Sequence, residues 1–156
     1  KEELLVAVFE EFLGRHMDAL RDGVAGEASS GDKLKKLLYL GLQLMQDHPE
    51  SAQIFLSQLR QSAQMIRTVA KRSSRAYKDI IEEVVAEGVE SGLCRKVDVP
   101  AVSSMLFGAF QQTVLDWVAD HCSYDLTTKK NELANFVLHG ICSDHDVLEG
   151  EEEQAT

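Results

Sequence analysis

The stretch AQMIRTVAKRSSRAYKDIIEEVVAEGVES, residues 63–91, decides the fold. Its apolar positions Ile66 and Val69, then the pairs Ala76/Tyr77, Ile80/Ile81, Val84/Val85 and Gly88/Val89, recur at spacings of three, four or their sum. That is the repeat of one face of an α-helix; a half-buried strand would alternate at every second residue. Phase held over about 27 residues predicts one unbroken helix roughly 40 Å long. Gly92 followed by Leu93 reads as its left-handed C-cap with a hydrophobic contact.

The same repeat extends in both directions. Upstream, Leu4/Leu5, Val8/Phe9, Phe12/Leu13, Met17 and Leu20 predict a first helix from about Glu2 to Asp22, broken by Gly23, Gly26, Ser29, Ser30 and Gly31. A second runs from about Lys33 to Asp47, capped by Asp32 or Ser30. Its leucines cover more than one face, as in a helix surrounded by others. His48-Pro49-Glu50 ends it, and Pro49 opens a short third helix over about Glu50–Gln61, with Ile54, Phe55 and Leu59 as apolar contacts. Downstream, Asp98 and Pro100 start a fifth helix reaching about His121, and Asp125 or Thr127 a sixth reaching about Ser143. The expectation is an all-α, six-helix bundle over residues 1–143, followed by an acidic, solvated tail over 144–156.

The chain has 156 residues, 44% of them hydrophobic, enough for a single well-filled domain. Sixteen Lys and Arg against 26 Asp and Glu leave a net charge of −10, which opposes binding nucleic acid through the overall field. No apolar run is long enough for a membrane span. Lys1-Glu2-Glu3-Leu4 carries acids where a secretory leader would be apolar, and it lies inside a helical pattern, so the sequence reads as part of a longer protein. Cys94, Cys122 and Cys142 are too few for a disulfide framework and suit reduced thiols in the cytoplasm. Neither His121-Cys122 nor Cys142 with His145 has the spacing of a structural zinc site. No phosphate-loop, nucleophile-elbow or metalloprotease string is present, so no catalytic residue, metal or cofactor is assigned and an enzyme is not expected.

Several strings, in order, resemble the C-terminal ligand-binding and dimerisation domain of TetR/AcrR-type transcriptional regulators. Lys1-Glu2-Glu3-Leu4-Leu5 is similar to the segment following that family's recognition helix. Glu87-Gly88-Val89-Glu90-Ser91-Gly92-Leu93 with Asp98-Val99-Pro100 resembles a helix junction, and Leu106-Phe107-Gly108-Ala109-Phe110, Trp117 and Phe136-Val137-Leu138-His139-Gly140-Ile141 resemble the last two helices. Leu59-Arg60-Gln61-Ser62, Phe107-Gly108-Ala109 with Thr113, and Trp117 followed by Ser123-Tyr124-Asp125-Leu126 look most like regulators of fatty-acid degradation that release DNA on binding long-chain acyl-CoA. The family's helix-turn-helix is not in this sequence, so DNA is implied as a partner only through an N-terminal domain of a parent protein.

Three sets of residues follow as candidates. Phe9, Leu13, Leu38, Leu42, Phe55, Leu59, Tyr77, Ile81 and Phe107 are candidate walls of an apolar ligand cavity; the plain alternative is ordinary core. Arg67, Lys71, Arg75 and Lys78 share one face of the long helix, with Arg60 and Arg72 near in sequence, and Arg60, Arg67 and Arg75 are candidate seats for coenzyme A phosphates. A solvated face is the alternative for this stripe. Phe110, Thr113, Trp117, Phe136, Val137, Gly140 and Ile141 are candidates for a homodimer face, as the resemblance implies for the last two helices. Their alternative is packing within one subunit. The function implied is an acyl-CoA-responsive repressor domain. A different drug or signal ligand, or a ligand-free dimerising module, remains the alternative.

Overall fold

The structure, a computed structural model, describes residues 2–50, 52 and 64–141. They form five α-helices and one 3₁₀ turn: α1 (Glu2–Ala25), α2 (Ser30–Asp47), α3 (Gln64–Glu90), α4 (Val99–Ala119), the turn Leu126–Lys129, and α5 (Lys130–Ile141). No strand occurs among the described residues. The all-α expectation holds, and α3 is the single long helix that its periodicity predicts. Of the third predicted helix, Glu50 and Ala52 are helical and the remainder lies outside the described residues, as does the acidic tail.

The helix ends follow local chemistry. The cap of α2 is Ser29, one residue before Ser30 and three before Asp32, the two expected candidates: its hydroxyl oxygen accepts the Asp32 N–H at 3.1 Å and its O–H donates to Asp32 Oδ2 at 2.7 Å. Asp98 caps α4 by accepting the Ala101 N–H at 3.1 Å. Gly92 closes α3 with φ +83°, the left-handed conformation that only glycine adopts without strain. α4 stops at Ala119, and His121 and Cys122 then both take φ 56°. Two successive left-handed residues that are not glycine are costly. They are held by the Cys122 N–H donating to Trp117 O at 2.9 Å and by the indole N–H of Trp117 donating to Tyr124 O at 2.7 Å.

α2 is the central rod, touching α1, α3, α4, α5 and the 3₁₀ turn. Hence its leucines face several ways: Leu34, Leu37, Leu38 and Leu42 are all buried. α1 approaches closely at Gly23, where a Cβ would lie 2.6 Å from the Leu40 side chain. α3 is tied to α2 by Lys33 Nζ donating to Glu87 at 2.7 Å, and to α4 by the buried Ser103 hydroxyl donating to Lys78 O at 3.0 Å. α5 is fastened to the loop after α3: the Arg95 guanidinium donates to Gly140 O at 2.7 and 3.1 Å, and the Arg95 backbone N–H to Ile141 O at 2.9 Å. These bonds satisfy carbonyls that a helix C-terminus leaves open. Burial of some twenty apolar side chains, each contributing about 1.5–3 kcal/mol, drives the assembly. No described helix is long and apolar enough to cross a membrane.

Candidate functional site

The middle of the bundle is an aromatic group between α2, α3 and α4. Tyr77 on α3 stacks on Phe110 of α4 with ring centroids 5.2 Å apart and meets Phe107 at 5.7 Å. Its hydroxyl donates to Leu37 O of α2 at 3.3 Å. Burial pushes the Tyr77 phenol far above its ordinary pKa, so it serves only as a neutral donor. The close approach is possible because α2 carries Gly41 opposite: a Cβ there would lie 2.6 Å from Tyr77 Oη and 3.1 Å from the Phe110 ring.

The structure brings five of the candidate cavity residues into one cluster: Leu38, Leu42, Tyr77, Ile81 and Phe107 are all buried in the core. Leu38, Leu42 and Ile81 have 0% exposed surface, so no water-sized space adjoins them. The interior beside them is filled. A ligand tail either stops before this layer or displaces it. Phe9 and Leu13 belong to α1 and Arg67 to α3, with side chains that are not described; Phe55, Leu59 and Arg60 lie outside the described residues.

The cationic stripe on α3 is partly neutralised from its own helix. Arg75 Nε lies 2.7 Å from Asp79 Oδ1, and its Nη2 lies 3.3 Å from Glu82 Oε2. A phosphate at Arg75 would have to compete with these two carboxylates. Lys71 and Arg72 are exposed, and Lys78 is half-buried.

The expected dimer face divides in two. Phe110, Trp117, Val137 and Ile141 are buried within the subunit and so cannot form a surface, which corrects the expectation for these four. Thr113 is half-buried, its hydroxyl donating to Ala109 O at 2.9 Å. Phe136 is 74% exposed, and Gly140 one turn later is exposed with nothing within 4 Å of its Cβ position. α4 presents a second exposed stripe, Met105 at 71%, Gly108 and Leu115 at 36%, spaced to lie on one face. Neither Met105 nor Leu115 is among the dimer candidates that the sequence offers. Their signal was the excess of apolar residues on α4 beyond one stripe.

Among the described residues no group of three or more His, Cys, Asp or Glu side chains could hold a metal. Cys94 is buried and Cys122 half-buried.

Comparison with known proteins gives a consistent result. The family model described as "YsiA-like protein, C-terminal region", a TetR C-terminal family, matches residues 9–140. The chain is 26% identical over 142 residues to the fatty acid metabolism regulator protein of Bacillus subtilis (strain 168), covering 90% of this chain and 73% of that protein. Its structure resembles that of the fatty acid degradation regulator FadR from Bacillus halodurans, with TM-score 0.82 and 27% identity over 89% of this chain and 72% of that one. It also resembles the transcriptional regulator FadR from Bacillus subtilis solved in complex with stearoyl-CoA, with TM-score 0.80 and 26% identity over 90% of this chain and 76% of that one.

Proposed function

Because the chain belongs to the TetR-type family of YsiA-like C-terminal regions, a family of transcriptional regulators and not of enzymes, we propose that it is the effector-sensing and dimerisation domain of a repressor answering to a long-chain acyl-CoA or a comparable apolar ligand. The observation that carries this reading is the likeness over nine-tenths of the chain to a regulator solved with stearoyl-CoA. DNA is then gripped by a helix-turn-helix domain of the parent protein, in the cytoplasm, and the two copies pair through the exposed stripes of α4 and α5.

The physics suits an acyl tail. Each buried CH₂ contributes about 0.8 kcal/mol, so a sixteen-carbon chain gains on the order of 10 kcal/mol before ordering and association costs. The filled layer of Leu38, Leu42 and Ile81 forms the closed end of the cavity in this reading, with Tyr77 and Phe107 beside it. In this reading a ligand that prefers one tilt of α1 biases the DNA-binding state. A hundredfold loss of DNA affinity needs about 2.7 kcal/mol of such preference.

Calorimetry with palmitoyl-CoA, coenzyme A and palmitate tests the reading. The expected result is micromolar or tighter binding of palmitoyl-CoA, much weaker binding of coenzyme A, and a raised melting temperature with the thioester. The filled core favours one rival, a dimerising module without a ligand. Melting unchanged across acyl chains of different length would select that module and reject the sensor.

A further inference from the structure

A surface groove of about 420 Å³ lies between the first half of α2 and the start of α5, away from the aromatic layer. α2 contributes Lys35, Lys36 and Tyr39, and α5 contributes Lys130 and Asn131. Two carboxylates stand at the rim and both are engaged. Glu27 faces Lys36 at 3.9 Å, and Asp32 accepts the Ser29 hydroxyl. Lys35 and Lys130 have no ion-pair partner among the described residues. The ammonium of Lys130 is held over the Tyr39 ring, 4.8 Å from its centroid, and contributes a favourable field to the nearby Asp125 carboxylate, which is bound to Thr127. Among the described residues the Tyr39 hydroxyl and the Asn131 amide have no hydrogen-bond partner either. Two unpaired cations and two idle polar groups thus converge on one concavity, in a chain whose net charge is −10.

We infer that this groove binds a phosphorylated small molecule. Its phosphate sits between the ammonium groups of Lys35 and Lys130 and takes further hydrogen bonds from the Asn131 amide and the Tyr39 hydroxyl. A phosphate dianion matches two unpaired ammonium groups in charge and offers enough acceptor lone pairs for four donors. The volume falls within the range of small-molecule sites. Anion binding relieves the repulsion between like charges facing one concavity. Two sources share this chemistry: a free phosphorylated metabolite, and the nucleotide end of a coenzyme A thioester. Only the second rests on the function proposed above.

The test is titration of the full chain with inorganic phosphate, ADP and coenzyme A, following binding by calorimetry and the Lys35, Tyr39 and Asn131 signals by NMR. The expected result is saturable binding of at least one probe with shifts confined to the groove. It is weakened tenfold or more by the Lys35→Ala/Lys130→Ala pair and less than twofold by Lys96→Ala, an exposed lysine outside the groove lining. Palmitoyl-CoA binding weakened tenfold or more by the same pair assigns the site to the thioester; ADP binding lost in the pair while palmitoyl-CoA binding is unchanged assigns it to free metabolites. No saturable binding at millimolar probe overturns the inference, as does binding that survives the double substitution or falls equally with Lys96→Ala. Palmitoyl-CoA binding unaffected by the double substitution overturns the thioester assignment while leaving the sensor reading intact.

Discussion

Gly41 is bare because two rings occupy the space a side chain would need. Gly41→Ala would place a methyl 2.6 Å from Tyr77 Oη and 3.1–3.3 Å from Phe110. Overpacking of a filled core typically costs about 1–3 kcal/mol. Urea denaturation should show that loss. Tyr77→Phe removes the clashing oxygen along with its bond to Leu37 O, and alone should cost about 0.5–1.5 kcal/mol. Combining the two should cost less than their sum, because the second change relieves the first; strict additivity would mean that the methyl is accommodated some other way. The same layer bears on sensing, since any ligand reaching it must move these rings.

At the scale of elements, the ends of the helices carry the polar chemistry. Arg95 closes the C-terminus of α5 from a loop distant in sequence. Arg95→Ala should leave the core intact and lower stability by about 0.5–1 kcal/mol, because the guanidinium is exposed and screened. Amide exchange should accelerate in the last turn of α5 and not in α2. Asp125 opens the 3₁₀ turn before α5. The Thr127 hydroxyl, then the Thr127 N–H, hold its carboxyl below the ordinary carboxylate range. A depressed carboxyl contributes stability that is fully present above its unfolded-state pKa and disappears as the pH falls through the folded one. The turn before α5 should therefore loosen only in acid. Thr127→Val should bring the Asp125 pKa back up toward its ordinary value in an NMR titration, and an unmoved titration would show that the hydroxyl is not the cause.

Over the whole molecule, the one-subunit core is complete without a partner, yet Met105, Leu115 and Phe136 stay exposed. Large apolar side chains exposed together on adjacent helices usually mark an interface. Phe136→Glu, alone or with Met105→Glu, should convert a dimer to a monomer in sedimentation while the helical circular dichroism persists. Trp117→Ala, by contrast, should cost about 3–5 kcal/mol of folding stability, because Trp117 is buried within the subunit. A dimer that survives both glutamates would place the pairing face elsewhere. Symmetry makes such pairing economical, since one stripe meets its own copy.

The helical class, the length of α3, the left-handed Gly92 and the Asp98-Pro100 start of α4 were legible from residue order, because each depends on neighbours within a few positions. So were Leu38, Leu42, Tyr77, Ile81 and Phe107 as interior residues, since a repeat of 3.6 marks one face of a helix as apolar. The repeat does not say which neighbour that face meets. α4 is apolar nearly all round, so only packing could turn Phe110 and Trp117 inward and leave Met105 and Leu115 outside. Likewise no local pattern joins Lys35 to Lys130 across a groove or brings Arg95 to the end of α5. Those contacts link residues far apart in the chain, and they exist only once the helices have chosen their crossing geometry.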